Sequence, residues 1–386
     1  MPPKQHLLLV KVPPGSNEEA VFEQLLETLY ETMTNASVAF EVASIHQHIY
    51  FYVRVSAKIR AIVEGQIYAQ YPDAEIFAVK DYARPAVLAK DKGFACSDVI
   101  LERSDIYPIK THRQFEGDSL SGIFSVLSKA AEGEEIWIQV VGKPAPEDWK
   151  LSFGRRFKMR VLGFKNVFRL RDYLKLKGKT ALRASEKEEF NKKADKHSYH
   201  VCIRIAYVAP QQETAHNKIE SIKRAFQQFN TTDFNSMKGV RSNKNSFLQK
   251  YASGSLDNPF LFTTEELATV YHYPQPDEVP HIVHVVSRKK EPPESLPKEG
   301  TVAPQDLSVF GSTNYHNQSI KFGIKRIDRR RHLYVVGKSG TGKSKMLELL
   351  IAEDLKAGKG VGVLDPHGDL IDKISSNMFP RSALRM

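Results

Sequence analysis

The chain of 386 residues is poor in cysteine, poor in tryptophan and without a long apolar run. Its two cysteines, Cys96 and Cys202, stand far apart and in no metal-type spacing. That excludes a disulfide framework and a thiolate metal knuckle, and it points to a reducing, cytoplasmic setting. No stretch reaches the roughly 20 consecutive apolar residues that a bilayer span requires, and no charged-then-apolar leader opens the residues present. The expectation is a protein that is neither secreted nor membrane-spanning, with any place at the inner face of a membrane reached through partners. No Ser-His-Asp, Cys-His or paired-carboxylate arrangement stands out as hydrolytic. His46 and His48 share one face of a predicted strand, but a metal would need a third ligand, and none is visible beside them.

What is present describes a folded chain of two to three domains, with 41% hydrophobic and 26% charged residues. The net charge of +11 is concentrated. Residues 155–196 carry 15 Lys/Arg against five Asp/Glu, a surplus of ten. Phe153, Phe157, Phe164, Phe168 and Tyr173 interleave with these bases. A basic stripe with aromatics suits a nucleic-acid backbone, with phosphates on the bases and nucleobases on the rings. The same spacing also suits a helix with one buried aromatic stripe and a solvated charged face, so both readings stand.

Along the chain, Leu7 to Val12 reads as a strand ended by Pro13-Pro14-Gly15, and Ser16 with Glu19 forms a capping box that opens a helix. Two apolar runs (Val38 to Ile45, Ile49 to Val55), a helical pattern from Ser56 to Tyr71 and a last run from Ala74 to Val79 complete the order βαββαβ, a ferredoxin-like unit. A looser echo follows: strand Asp98 to Glu102, helix Asp118 to Ala131 and strand Ile136 to Val141. After the basic segment come strand Tyr199 to Val208 and a helix with Ile219, Ile222, Phe226 and Phe229. Thr263 and Glu266 form a second capping box. Seven of the chain's 20 prolines fall in residues 274–304, which marks a linker. The expected domains are 1–85, 86–260 with a basic insertion at 150–197, a short helix and linker at 261–305, and 306–386.

The sharpest signal is late. The apolar run Leu333-Tyr334-Val335-Val336 leads into Gly337-Lys338-Ser339-Gly340-Thr341-Gly342-Lys343-Ser344, followed by a helical pattern (Met346, Leu349, Leu350, Leu355) that ends at Gly358. This is GxxxxGK[ST], a phosphate-binding loop in its strand–loop–helix context. Its glycines let successive backbone N–H groups curl around a polyanion at a helix N-terminus. Lys343 would place a point charge on the β- and γ-phosphates of ATP, and Ser344 would ligate Mg²⁺. A second apolar run, Val361 to Leu364, ends in Asp365-Pro366-His367-Gly368-Asp369. Asp365 could orient the magnesium as a catalytic carboxylate, or it could cap the helix that follows. It comes only 22 residues after Lys343, earlier than a Walker B acid usually does. The run Arg329-Arg330-Arg331 could touch DNA or a neighbouring subunit's nucleotide, or simply lie in solvent.

The runs FGIKRIDRRRHLYVVGKSGTGKSKMLELL and GVGVLDPHGDLIDKI resemble the HerA/FtsK-type P-loop ATPases, and most of all the bacterial type IV secretion and conjugative coupling ATPases. FTTEELATVYHYP (Phe262 to Pro274) and SVFGSTNY (Ser308 to Tyr315) resemble segments upstream of the ATPase core in that group. The resemblance implies an incomplete α/β RecA-like domain behind an α+β region, a hexamer, and ATP hydrolysis coupled to DNA translocation, with a secretion channel or membrane partner. Lys345 departs from the pattern, since such loops often carry Thr there. The chain ends 42 residues after Ser344, so the expectation is a shortened chain that binds nucleotide and turns it over negligibly. Two further readings stay open: a secretion-channel assembly ATPase that does not grip DNA, and a nucleotide-gated interaction module without hydrolysis.

Overall fold

The computed structural model describes residues 5–13, 18–33, 35–83, 92–105, 107–146, 193, 195–273, 281–283, 285, 292–313, 315, 319–338, 340–366 and 368–378. The chain divides into two units, residues 1–288 and 289–386.

In the first unit, β1 (Gln5–Lys11) is followed by α1 (Glu18–Thr32), whose Phe22, Leu25, Leu26 and Leu29 recur at helical spacing and are all buried. β2 (Val38–Ile45) and β3 (His48–Ser56) form a hairpin joined by His46 and Gln47, at φ 50° and 63°. Two left-handed residues give the turn the twist that a two-residue hairpin needs. α2 (Arg60–Gln70) and β4 (Glu75–Val79) complete the first set. All pairings are antiparallel, in the order β4-β1-β3-β2.

The next elements repeat that order. β5 (Gly93–Leu101), α3 (Ser121–Leu127), β6 (Glu135–Pro144), β7 (Ser198–Ala209), α4 (Gln212–Ala225) and β8 (Met237–Arg241) again read βαββαβ. Their strands lie in the order β6-β7-β5-β8, the first set reversed. The corresponding strands β2 and β6 meet antiparallel from Val38↔Gly142 to Ser44↔Ile136, so the two sets share one continuous sheet. β9 (Phe260–Thr263) pairs with the Ser198–Val201 end of β7, which β5 does not reach. Residues 145–197, with the basic insertion, occupy the place that His46 and Gln47 hold in the first set. They leave and re-enter the sheet side by side, with Ala145 N donating to Ser198 O at 2.9 Å.

The alternation along each strand sorts two faces. Val38, Phe40 and Val42 of β2, Ile136, Ile138 and Val140 of β6, and Ile203 and Ile205 of β7 join the larger core with α1, α2 and α4. On the opposite face Trp137, Phe94, Tyr52 and Tyr82 pack with Phe247 and Tyr251 of α5 (Lys244–Ser253). That face also buries charge: Arg54 Nε donates to Glu41 Oε1 at 2.7 Å and Nη1 to Asp81 Oδ2 at 2.6 Å. Gln139 Nε2 donates to Glu41 at 2.8 Å, and Arg204 Nη1 to Gln139 Oε1 at 3.0 Å. The hydrogen-bonded network thereby runs from Asp81 to Arg204, where Nε is left without a hydrogen bond among the described residues. α6 (Thr264–Val270) packs along α1, and both capping-box bonds between Thr263 and Glu266 are present. Ser16, the first residue of the other expected box, lies outside the described residues.

In the second unit, β10 (Leu307–Ser312) and β11 (Lys321–Lys325) form an antiparallel hairpin against α7 (Lys343–Lys356), and α8 (Asp369–Met378) follows. Leu333 to Val336 and Val361 to Leu364, expected as strands, pair with no strand among the described residues. Tyr334 is 89% and Leu364 100% exposed. A strand holds its place through its ladder, and these two apolar stretches have no ladder here.

Candidate nucleotide site

The phosphate-binding loop sits where α7 begins. Gly340 and Gly342 have φ of 82° and 95°, a backbone that L side chains rarely adopt, and Gly342 is the N-cap of α7. A glycine cap offers no side chain to the first-turn amides, so those donors and the positive end of the helix face outward together. Lys338 O accepts from both Thr341 N (3.3 Å) and Thr341 Oγ1 (2.7 Å), which closes the turn. Gly337 has no room for a side chain: an added Cβ would come within 2.6 Å of Thr341 Oγ1. Ser339 lies outside the described residues.

Lys343 reaches back over its own loop, donating to Gly337 O at 2.7 Å and Lys338 O at 2.8 Å. An ammonium has three donors, so the geometry leaves a third for a ligand oxygen. Ser344 is exposed in the first turn of α7. These residues fit a nucleoside triphosphate with Mg²⁺: backbone amides for the phosphates, Lys343 for charge and Ser344 for the metal.

Asp365 is committed to α8. Its Oδ2 accepts Leu370 N at 2.7 Å and Ile371 N at 3.4 Å, the helix-capping role that was one of its two expected uses. Of the three consecutive arginines, Arg329 is held by Asp354 of α7 and donates to Ser308 Oγ at 2.9 Å, whereas Arg330 and Arg331 are exposed. Sequence reasoning missed Asp354. Only the register of α7 against the hairpin reveals it, and no residue spacing signals that register.

Most of the basic segment lies outside the described residues; Lys193 and Lys196 are the two bases within them. Both are held by acidic partners, Lys193 in the interior and Lys196 at a partly exposed position. Lys193 is buried, bonding Glu266 Oε2 at 2.8 Å and Leu261 O at 3.1 Å, and Lys196 pairs with Glu265. Burial pushes the Glu265 carboxyl up, but Lys196, Thr111 and Arg113 outweigh it and hold the group below its ordinary value. These pairs line a cavity of about 430 Å³ in which acids and bases offset one another. His46 and His48 do not converge as ligands, since His48 Nδ1 donates to the His46 carbonyl at 2.8 Å.

Among the described residues no helix is long and apolar enough to cross a membrane. Residues 2–281 match the family described as "Domain of unknown function (DUF8128)", and residues 310–373 match the family described as "Helicase HerA, central domain". The second match spans the phosphate-binding loop, α7 and the Asp365 turn, and it supports an ATPase of the HerA/FtsK class. No curated protein matches the chain. Among solved structures, 6-hydroxy-D-nicotine oxidase from Arthrobacter nicotinovorans aligns at 14% identity and a TM-score of 0.29, covering 61% of this chain and 46% of the oxidase. The chain thus spans under half of that enzyme's length.

Proposed function

The chain belongs to the DUF8128 family, and from that premise we propose that its family region works with the HerA-type region as a DNA-translocating ATPase of the HerA/FtsK class, whose ATP site is the loop at Gly337 to Ser344. The observation that carries the reading is the conjunction at one helix end: left-handed Gly340 and Gly342, an open first turn of α7, and Lys343 poised across the loop. Backbone amides would cradle the phosphates, Lys343 would offset charge on the β- and γ-phosphates, and Ser344 would offer its hydroxyl to Mg²⁺. Asp365 orients α8 from the end of the second apolar run.

In this reading the two βαββαβ sets are ferredoxin-like units, residues 306–386 belong to a RecA-like domain, and the working assembly is a hexamer. The basic insertion grips DNA from the hairpin loop between β6 and β7, whose base is clamped by Lys193 and Lys196. Bases beyond that clamp, among them Lys175, Lys177, Lys179 and Arg183, contact phosphates.

Binding of a fluorescent DNA duplex to the full chain, titrated across salt with MgATP present, tests the proposal. Converting those four bases to Gln is expected to reduce the slope of log K against log salt by about three to four, close to one unit per phosphate contact. An unchanged slope would remove the basic insertion from DNA contact. It would favour a secretion-channel assembly ATPase instead.

A further inference from the structure

We propose that Glu19, Asp118 and His272 hold a divalent transition-metal ion inside the first unit. Glu19 lies in the first turn of α1, Asp118 just before α3 and His272 just beyond α6, so the cluster forms only when these three segments pack together. All three residues are buried, and their ligand atoms lie within 4.8 Å of one another.

The geometry is that of a coordination sphere. His272 Nε2 is 3.2 Å from Asp118 Oδ1 and 3.7 Å from Glu19 Oε1. Donors placed 2.0–2.1 Å from a tetrahedral zinc are separated by roughly 3.3 Å. The outer contacts point the same way. His272 Nδ1 lies 2.9 Å from Ala268 O, a carbonyl that can only accept, so Nδ1 carries a proton and Nε2, 3.2 Å from Asp118 Oδ1, is the ring atom that faces the cluster. Asp118 Oδ1 accepts Leu120 N at 2.6 Å, and Glu19 Oε1 accepts Ser119 N at 3.3 Å. Ser119 is itself pinned through its hydroxyl to Thr269 O at 2.9 Å.

A separate observation concerns Glu18. It is 4% exposed, and its Oε2 makes no hydrogen bond among the described residues. It adjoins Glu19 in the first turn of α1, so a second buried acid stands next to the cluster. Charge counts in the same direction. Two carboxylates, Glu19 and Asp118, face one buried imidazole; a proton there offsets one negative charge, whereas a dication offsets both. One nitrogen and several carboxylate oxygens suit zinc, manganese or cobalt(II) better than the softer ions.

The alternative occupant is a proton, which would make His272 an imidazolium bridging the two acids. The full chain, unfolded in guanidinium with chelator and refolded with Co²⁺ or Zn²⁺ in the absence of nucleotide, distinguishes the two by metal content after gel filtration and by cobalt absorption in the visible. The expected result is about one tightly held equivalent, with affinity at least tenfold lower in His272→Gln and Asp118→Asn, the loss a ligand deletion brings. His48→Gln, at the exposed start of β3, is expected to keep the metal. If His272→Gln does not fold, Glu19→Gln replaces it. Folded wild-type protein that retains no metal, or a His272→Gln protein that retains as much as wild type, would overturn the proposal.

Discussion

Arg329 holds Asp354 through both guanidinium nitrogens, Nη1 to Oδ1 at 2.5 Å and Nη2 to Oδ2 at 2.6 Å. Arg326 adds a third bond to Asp354 Oδ1 at 3.2 Å. The helix that begins at the phosphate-binding loop is thus tied near its carboxy-terminal end to the segment that precedes the loop, and the direction of its amino-terminal end depends on that tie.

Asp354→Asn would leave two guanidinium groups facing a neutral amide. The site is partly exposed, with side-chain accessibilities of 25% for Arg329 and 17% for Asp354, so a cost of about 1–2 kcal/mol is expected. Calorimetric melting of the full chain should show the transition of residues 289–386 moving down while that of the first unit stays in place. Coincident scans for variant and wild type would show that the pair contributes nothing.

Gly342→Ala tests the loop's backbone. Nothing lies within 4 Å of an added Cβ, so the only penalty is φ of 95°, roughly 1–2 kcal/mol for a non-glycine residue. The expected outcome is a stable protein whose nucleotide affinity falls about tenfold or more, because the first-turn amides turn away from the phosphates. Wild-type affinity would mean that this conformation is not required for binding.

The buried charge beneath α5 predicts a larger effect. Arg54, 2% exposed, answers both Glu41 and Asp81. Arg54→Met should cost about 3–5 kcal/mol by stranding the two acids. Urea unfolding measures it; a loss under about 1 kcal/mol would indicate that water or a shifted side chain takes over.

Acid sensitivity follows from Glu265, whose pKa lies below its ordinary 4.5 in the folded chain. Between the two values the unfolded chain binds more protons, so the stabilisation is complete above 4.5 and declines as the pH falls through the lower folded value. Wild type should therefore lose stability more steeply than Glu265→Gln as the pH falls below 4.5. Parallel profiles would assign the acid sensitivity to other groups.

Much of the architecture was legible where local pattern and tertiary environment agree. The runs at Val38 to Ile45 and Ile49 to Val55 are mostly apolar, broken only by Glu41, Ser44 and Arg54, because both sheet faces are covered, and they appear as β2 and β3. The Thr263–Glu266 capping box forms because its two bonds are local. β8, MKGVR, went unread because a short edge strand with exposed lysine and arginine carries no apolar alternation. α3 is shorter than its helical pattern, since Asp118 is drawn off to cap Leu120 N and face His272. In the site, the glycine spacing revealed the loop directly. The ties through Asp354 and the cluster at His272 did not show, because each joins residues that only the folded chain brings together.

The account stands most directly on nucleotide capture by the loop around Lys343. Calorimetry of the full chain with MgATP, alongside Lys343→Ala, measures it. One binding event per chain is predicted for wild type, weakened by at least about a hundredfold when the ammonium is removed, in line with loss of a charge-assisted contact worth roughly 3 kcal/mol. Absence of heat from wild type, or equal affinity in the variant, would contradict it.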